Sequence, residues 1–323
     1  MMHAALIGAG GWGQKLLASV QGKSTEIRFA SVVTRDPASR RDIADKFGVT
    51  LTADYREVLA HPKIGAVVIA TPHSQHAAQI AAAAKAGKHV FVEKPLALTK
   101  ASALRAIEAC KAANVTLAIG FNRRFSPAYV EMKRRIVAGE IGALRYLEGH
   151  FSGPLSPQIA AGNWRSNQVE SPGGAMTARG IHMLDSMIDL AGLVTEVTAM
   201  SERAQLEVDV DDTTAALLRF SGGASGMLTT LWGSTLLWRL HVFGTQGALE
   251  MRGDNGLTAF ALDGTATALD CIANDKERAM LENFAAAAAR GVKFTVAPEV
   301  AVNNVVVTEA IAGPARGKRV AIS

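Results

Sequence analysis

Short, almost wholly apolar runs punctuate the first third of the chain, at 4–7, 28–33, 66–70, 89–92 and 115–119. Their lack of polar alternation predicts strands buried on both faces. Alanine-rich stretches with helical spacing separate them. One is predicted to open with Asp36 as N-cap and Pro37 at its first position, and to stop at Gly48. A second runs from about Ser74 to Gly87, and Thr99 caps a third. This strand–helix alternation predicts an α/β domain over residues 1–120, an N-terminal Rossmann doubly wound parallel sheet.

The pattern changes after Gly120. Ser126-Pro127 opens a helix to about Ala138, and a strand follows over 144–151. A loop rich in Gly, Pro, Ser and Asn covers 152–174, and a helix is predicted over 176–190. Strands are predicted over 196–203, 213–220, 224–231, 236–243 and 248–251, with hairpin turns at Ser221-Gly222-Gly223 and Thr245-Gln246-Gly247. Helices over 276–290 and 298–311 close the chain, with the option of packing back on the first domain. Residues 121–323 therefore read as an α+β domain with a large, mostly antiparallel open sheet, suited to substrate binding and oligomerisation.

Composition narrows the class. The chain has 323 residues, 49% hydrophobic and 20% charged, as expected of a soluble globular protein with two domains. The net charge of +5 is spread out, and runs such as Lys133-Arg134-Arg135 read as solvated helix faces. No basic stripe with interleaved aromatics appears, which excludes nucleic acid as an expected partner. A modest positive balance suits a phosphate-bearing or acidic ligand. Cys110 and Cys271 are far apart and lack metal-type spacing, so reduced thiols and a cytoplasmic location are expected. No signal-peptide pattern or bilayer-length apolar run is seen, so no membrane association is expected.

The first chemical motif follows the first strand. Gly8, Gly10 and Gly13 have G-x-G-x-x-G spacing between a strand and a helix. The first glycine permits a tight turn, the second lets the backbone approach a pyrophosphate, and the third lets helix and sheet pack closely. The new helix offers free N–H groups to the anion. The next strand ends Thr34-Arg35-Asp36. An acid in first place would hold a ribose 2′-hydroxyl. A hydroxyl and a guanidinium suit a 2′-phosphate instead, and Asp36 is better used as a helix cap. NADP(H) is the expected cofactor, with NAD(H) as the alternative.

Three further segments fall at carboxyl ends of parallel strands, the edge where such sheets bind ligands. They are Thr71-Pro72-His73 with His76, Glu93-Lys94-Pro95, and the stretch from Gly120 to Phe125. His73 and His76 read as a polar pair at a helix start, since no third metal ligand accompanies them. No metal is expected.

Together these residues make the chain resemble the glucose-fructose oxidoreductase / inositol dehydrogenase / rhizopine-catabolism (Gfo/Idh/MocA) family. The matching segments are Gly8-Ala9-Gly10-Gly11-Trp12-Gly13, Thr71-Pro72 with His76, Glu93-Lys94-Pro95, and Gly120-Phe121-Asn122-Arg123-Arg124-Phe125. In the second domain Gly173-Gly174-Ala175 leads to Gly180-Ile181-His182 and Asp185. The resemblance implies NAD(P)-dependent redox chemistry on sugars, polyols or related diols, in homodimers or homotetramers. It implies that Lys94 lies beside the nicotinamide as acid/base and that His182 is a catalytic or substrate-binding partner. Gly11, Trp12, Glu93, Asn122 and Arg124 join the expected cofactor contacts, and so do Trp164 and Arg165 from the Gly-Asn-Trp-Arg-Ser loop.

Lysine is chemically apt here. Hydride leaves carbon only as the hydroxyl proton is taken up, so a base must stand close. Burial and the positive ring of an oxidised nicotinamide both favour the neutral amine. Glu93 and Lys94 point to opposite sides of an extended strand, which makes Glu93 an orienting or structural residue. Pro95 restricts Lys94 to extended backbone angles.

One position departs from the family pattern. Many members carry an aspartate four residues before the histidine, where this chain has Ala178. Asp185, three residues after His182, is the candidate to orient it. Arg179 and Arg123 are candidate substrate contacts, for an anionic substrate such as a sugar acid or a carboxylated dihydrodiol. The alternative is that Arg179 faces solvent or pairs with Asp185. A rival reading of the whole chain is a cofactor-binding sensor or regulatory protein without turnover.

Overall fold

Strand β1 (Met2–Ile7) begins a sheet whose central strands are buried because helices cover both faces. The computed structural model describes residues 1–155 and 159–322 and divides them into two units. The first unit comprises Met1–Asn122 and Asp275–Pro298; the second comprises Arg123–Asn274 and Glu299–Ser323.

In the first unit β1 leads to α1 (Gly11–Val20), β2 (Ile27–Val33), α2 (Arg41–Phe47), β3 (Thr50–Thr52), α3 (Tyr55–Ala60) and β4 (Ala66–Ile69). Then come α4 (His76–Lys85), β5 (His89–Glu93), α5 (Lys100–Ala112) and β6 (Leu117–Gly120). The strands are all parallel, in the order β3-β2-β1-β4-β5-β6, the doubly wound arrangement. Register aligns Ile7 with Ile69, Ile69 with Val92, and Glu93 with Gly120. The strand-end motifs therefore leave the sheet side by side along one edge. The helix expected from Asp36 is split into a short 3₁₀ turn, Ala38–Arg40, and α2, which ends at Gly48 in the left-handed conformation. Neither β3, only three residues long, nor α3 was anticipated.

The second unit contains α6 (Pro127–Val137), β7 (Leu144–Gly153), α7 (Ile181–Ala191), β8 (Val194–Glu202) and β9 (Thr213–Phe220). It continues with β10 (Ser225–Trp232), β11 (Leu237–Gly244), β12 (Ala248–Arg252), β13 (Gly256–Phe260) and β14 (Ala266–Leu269). Helix α8 (Lys276–Arg290) belongs to the first unit and packs on α1, while α9 (Pro298–Ala312) and β15 (Val320–Ala321) belong to the second. Nine strands pair in the order β14-β13-β12-β11-β7-β10-β9-β8-β15, antiparallel except for β7 with β10. Side chains from α6, α7 and α9 cover one face in a single core, with Tyr129, Met183, Met187 and Ile311 against Leu147, Phe220 and Leu240. The other face carries no helix of this unit, and β9 alternates exposed and buried along its length. Part of the expected loop over 152–174, residues 156–158, lies outside the described residues. Among the described residues no helix is long and apolar enough to cross a membrane.

Candidate active site

The glycine loop has the geometry that a dinucleotide needs. Gly8 has φ +104°, and a Cβ there would lie 2.6 Å from the Ala70 carbonyl oxygen. A Cβ on Gly13 would lie 2.1 Å from the Gly8 carbonyl oxygen, so helix and loop touch backbone to backbone. Gly10 and Gly11 meet nothing within 4 Å, which leaves the approach over the loop open. No side chain caps the start of α1, so its first N–H groups remain available to an anion. These features fit a dinucleotide pyrophosphate.

The side chains around this loop form a polar edge. The Lys15 ammonium lies 4.8 Å from the Trp12 ring centroid and donates to Glu277 Oε1 at 2.9 Å. Asn122 is buried and donates from Nδ2 to the same Glu277 oxygen at 2.9 Å. The Trp12 indole nitrogen, Glu93 Oε1 and Asn122 Oδ1 are all buried without a hydrogen-bond partner of good geometry. Glu93 sits at the end of β5 with its carboxyl against Gly120, where a Cβ would approach Oε1 to 2.7 Å. Burial pushes the Glu93 carboxyl up to about 7, while the Trp12 indole and Lys94 pull it the other way. Lys94 follows, half-buried, and its bond to Pro95 is cis.

Thr71 donates its hydroxyl to Gln79 at 2.6 Å. His73 and His76 stand edge to face with ring centroids 5.7 Å apart, and among the described residues no three potential metal ligands cluster. His76 is fully buried, its Nδ1 2.8 Å from the Pro95 carbonyl oxygen and its Nε2 3.1 Å from that of Thr71. It ties the loop after β4 to the loop that carries Lys94. After β2, Thr34 donates its backbone N–H to Thr52, Arg35 is exposed, and Asp36 accepts from the Ser39 N–H at 3.2 Å. Asp36 is thus turned toward its own turn.

The second unit carries the remaining candidates. Arg124 is almost fully buried and grips Asp185 with two bonds, Nε to Oδ2 at 2.6 Å and Nη2 to Oδ1 at 2.8 Å. It also meets Asp189, which accepts from Tyr129 at 2.6 Å and from Lys133 at 2.7 Å. Burial raises the Asp185 carboxyl against the pull of Arg124. At Asp189 burial acts in the same direction, but the cations and the Tyr129 hydroxyl outweigh it and hold that carboxyl below its ordinary range. Arg124, expected at the cofactor, and Asp185, expected beside His182 or the substrate, thus bind each other. Their polar atoms are spent on this buried network.

His182 opens α7, nearly buried, with its ring centroid 6.3 Å from that of Phe151. Phe151 is also 6.3 Å from the Trp238 ring, and the Arg123 guanidinium lies 5.4 Å from its centroid. Arg123 donates to Asp254 at 2.7 Å. Arg179 lies 5.8 Å from Phe151 and donates to the carbonyls of Pro154 at 3.0 Å and Leu231 at 3.4 Å, so it neither pairs with Asp185 nor faces open solvent. Residues Met176–Gly180 form a π-helical turn before α7, a feature frequent at functional sites. Ala178 packs on a small apolar cluster of Ile159, Ala175, Val210 and Trp232. Arg165 stacks on Trp164 at 3.9 Å in a short 3₁₀ turn.

Comparison with known proteins agrees with this geometry. Residues 2–121 match the model of an oxidoreductase family with an NAD-binding Rossmann fold, and residues 129–250 match the Gfo/Idh/MocA C-terminal domain. The chain belongs to the Gfo/Idh/MocA oxidoreductase family. It is 33% identical to scyllo-inositol 2-dehydrogenase (NAD(+)) of Bacillus subtilis across 77% of this chain and 73% of that one. It is also 33% identical to the oxidoreductase YrbE of the same organism, across 61% of this chain but only 58% of that protein's length. The fold superposes on levoglucosan dehydrogenase in complex with NADH with a TM-score of 0.90, at 22% identity, covering 100% of this chain and 99% of that one. The sequence did not reveal Glu277 and Lys15 beside Asn122 and Trp12, Gln79 beside Thr71, or Gly153 beside Arg179. Glu277 lies 155 residues from its partner Asn122, and no local pattern marks it.

Proposed function

We propose that the protein is an NADP(H)-preferring dehydrogenase or reductase acting at a secondary alcohol or its ketone, on a sugar, polyol, sugar acid or dihydrodiol. The observation that carries this reading is the sheet register, which sets the glycine loop after β1 and Lys94 after β5 along one edge. When bound, the nicotinamide supplies the hydride acceptor. Gly8, Gly10 and Gly13 with the start of α1 would hold the pyrophosphate, and Arg35 would meet a 2′-phosphate. Asp36 serves as the cap of the turn that follows, accepting from the Ser39 N–H. The Lys94 amine takes the hydroxyl proton as the carbon loses hydride, leaving a carbonyl and an ammonium; in reduction it returns that proton. His76 ties down the lysine's loop at the Pro95 carbonyl, and His182 is the second unit's candidate substrate-binding residue. A homodimer or homotetramer, formed through the uncovered face of the second unit's sheet, completes the proposal.

The test follows NADPH and NADH absorbance over neutral polyols, sugars and sugar acids, with wild type beside Lys94→Ala. The expected result is turnover that prefers NADP(H). In Lys94→Ala it falls roughly 100- to 10,000-fold with cofactor affinity unchanged. Tight cofactor binding without turnover would replace the enzyme with a sensor, and tighter binding of NADH would overturn the cofactor preference.

A further inference from the structure

Of the arginines in the second unit's candidate site, one stands apart. Arg123 is neutralised by Asp254, and Arg124 by Asp185 and Asp189. Arg179 has no acidic partner among the described residues, only the two backbone carbonyls of Pro154 and Leu231. Its place is built for it. A Cβ on Gly153, the last residue of β7, would sit 2.7 to 2.9 Å from three guanidinium atoms, so any other residue there would displace the arginine. Desolvation also pulls the guanidinium below its ordinary range, the mark of a cation lacking a compensating charge.

The surroundings favour an anion. Arg179 and His182 both lie against Phe151, which puts the unpaired guanidinium beside the candidate site histidine. The neighbouring position 178 is an alanine packed on Ile159, Val210 and Trp232. No carboxylate at 178 would repel a charged substrate, and the wall beside it is apolar. A partly desolvated guanidinium with free donor capacity gains most from a planar carboxylate, which it can meet with two parallel bonds.

We propose that Arg179, seated on Gly153, anchors a carboxylate of the substrate, so that the substrate is a hydroxy-carboxylate and not a neutral polyol. This rests on the oxidoreductase reading for its reaction, while anion recognition itself is a property of the second unit. Carboxylate binding converts carbonyl-held donors into charge-assisted ones. It also places the anion beside the apolar ring cluster, which fixes the rest of the ligand relative to His182.

The experiment measures binding by calorimetry to the protein saturated with NADPH, a form in which alcohol probes bind without being oxidised. The probes are matched pairs: quinate against myo-inositol, and gluconate against sorbitol. In wild type at least one carboxylate is expected to bind about tenfold or more tightly than its neutral counterpart, in line with a hydrogen-bonded charged group. Arg179→Ala should bring that carboxylate down to the affinity of its counterpart and leave the neutral ligand unchanged. Arg179→Lys should retain part of the preference, and Gly153→Ala should lose it by displacing the guanidinium. A merely structural arginine, pinning the loop at Pro154, would weaken neutral and charged probes alike. The proposal is overturned if no carboxylate outbinds its counterpart, or if the preference survives Arg179→Ala. Carboxylate selectivity without turnover of any probe in the NADP⁺ assay would sink the dehydrogenase reading and leave the anchor standing.

Discussion

Glu93 holds its proton more tightly in the folded chain than in the unfolded one. Burial lifts its carboxyl from the ordinary value of 4.5 to about 7. Between those values the native state binds a proton that the unfolded state has released, so stability falls as pH rises through the window and levels off above about 7. Glu93→Gln removes the titration. Its melting temperature relative to wild type should climb from about pH 4.5 to about pH 7.5, by an amount worth at most about 3 kcal/mol. Thermal unfolding of both proteins without added cofactor checks this; a gap that stays flat with pH rejects it. The sequence had already assigned Glu93 an orienting or structural role, because strand alternation turns it away from Lys94. It did not reveal the Arg124–Asp185 pair for a related reason. A motif shows which residue types stand together in the chain, but not that two of them, 61 positions apart, will spend their bonds on each other.

At the scale of elements the glycine loop separates two kinds of constraint. Gly13 is in contact with the backbone of Gly8, whereas Gly10 faces open space at φ −68°, an angle any residue adopts. Gly13→Ala must push α1 off the sheet, costing about 1–3 kcal/mol of stability in the cofactor-free protein as an overpacked contact does. Gly10→Ala should leave stability within about 0.5 kcal/mol and weaken only the cofactor, since its methyl projects into the approach path. Urea unfolding read beside cofactor titration distinguishes the two, and equal destabilisation by both would refute the assignment. The same scale shows what periodicity can reveal. β4 and β6, buried on both faces, and β9, with strict alternation, were all legible. β3 has three residues and β15 two, too few for any period to emerge. β13 and β14 sit at the sheet's edge, where mixed exposure blurs the pattern. The π-helical turn at Met176–Gly180 was read as ordinary helix, because one extra residue per turn leaves no mark in composition.

For the molecule as a whole, the helix-free face of the nine-stranded sheet is the surface through which the homo-oligomer proposed above would form. Its outer positions mix exposed apolar side chains, Met200 and Leu217 at 65% and 60% exposure, with a ladder of charges of both signs. Arg239 donates to Glu148 at 2.9 Å, and Glu250 lies 3.7 Å from Arg239 and 3.6 Å from His241. Because these charges are satisfied within the face, two copies can meet through it without burying an unpaired ion, while Met200 and Leu217 supply apolar area removed from water. Closed two-fold pairing presents the same patch from each subunit, so one substitution acts twice. On the proposed assembly, wild type should sediment as a dimer or tetramer, and Met200→Lys with Leu217→Lys should yield a smaller species in sedimentation velocity. Circular dichroism should stay unchanged, since both side chains are exposed and lie outside the core formed with α6, α7 and α9. Wild type sedimenting as a monomer, or a double variant that keeps the wild-type mass, would show that this face meets something other than its own copy.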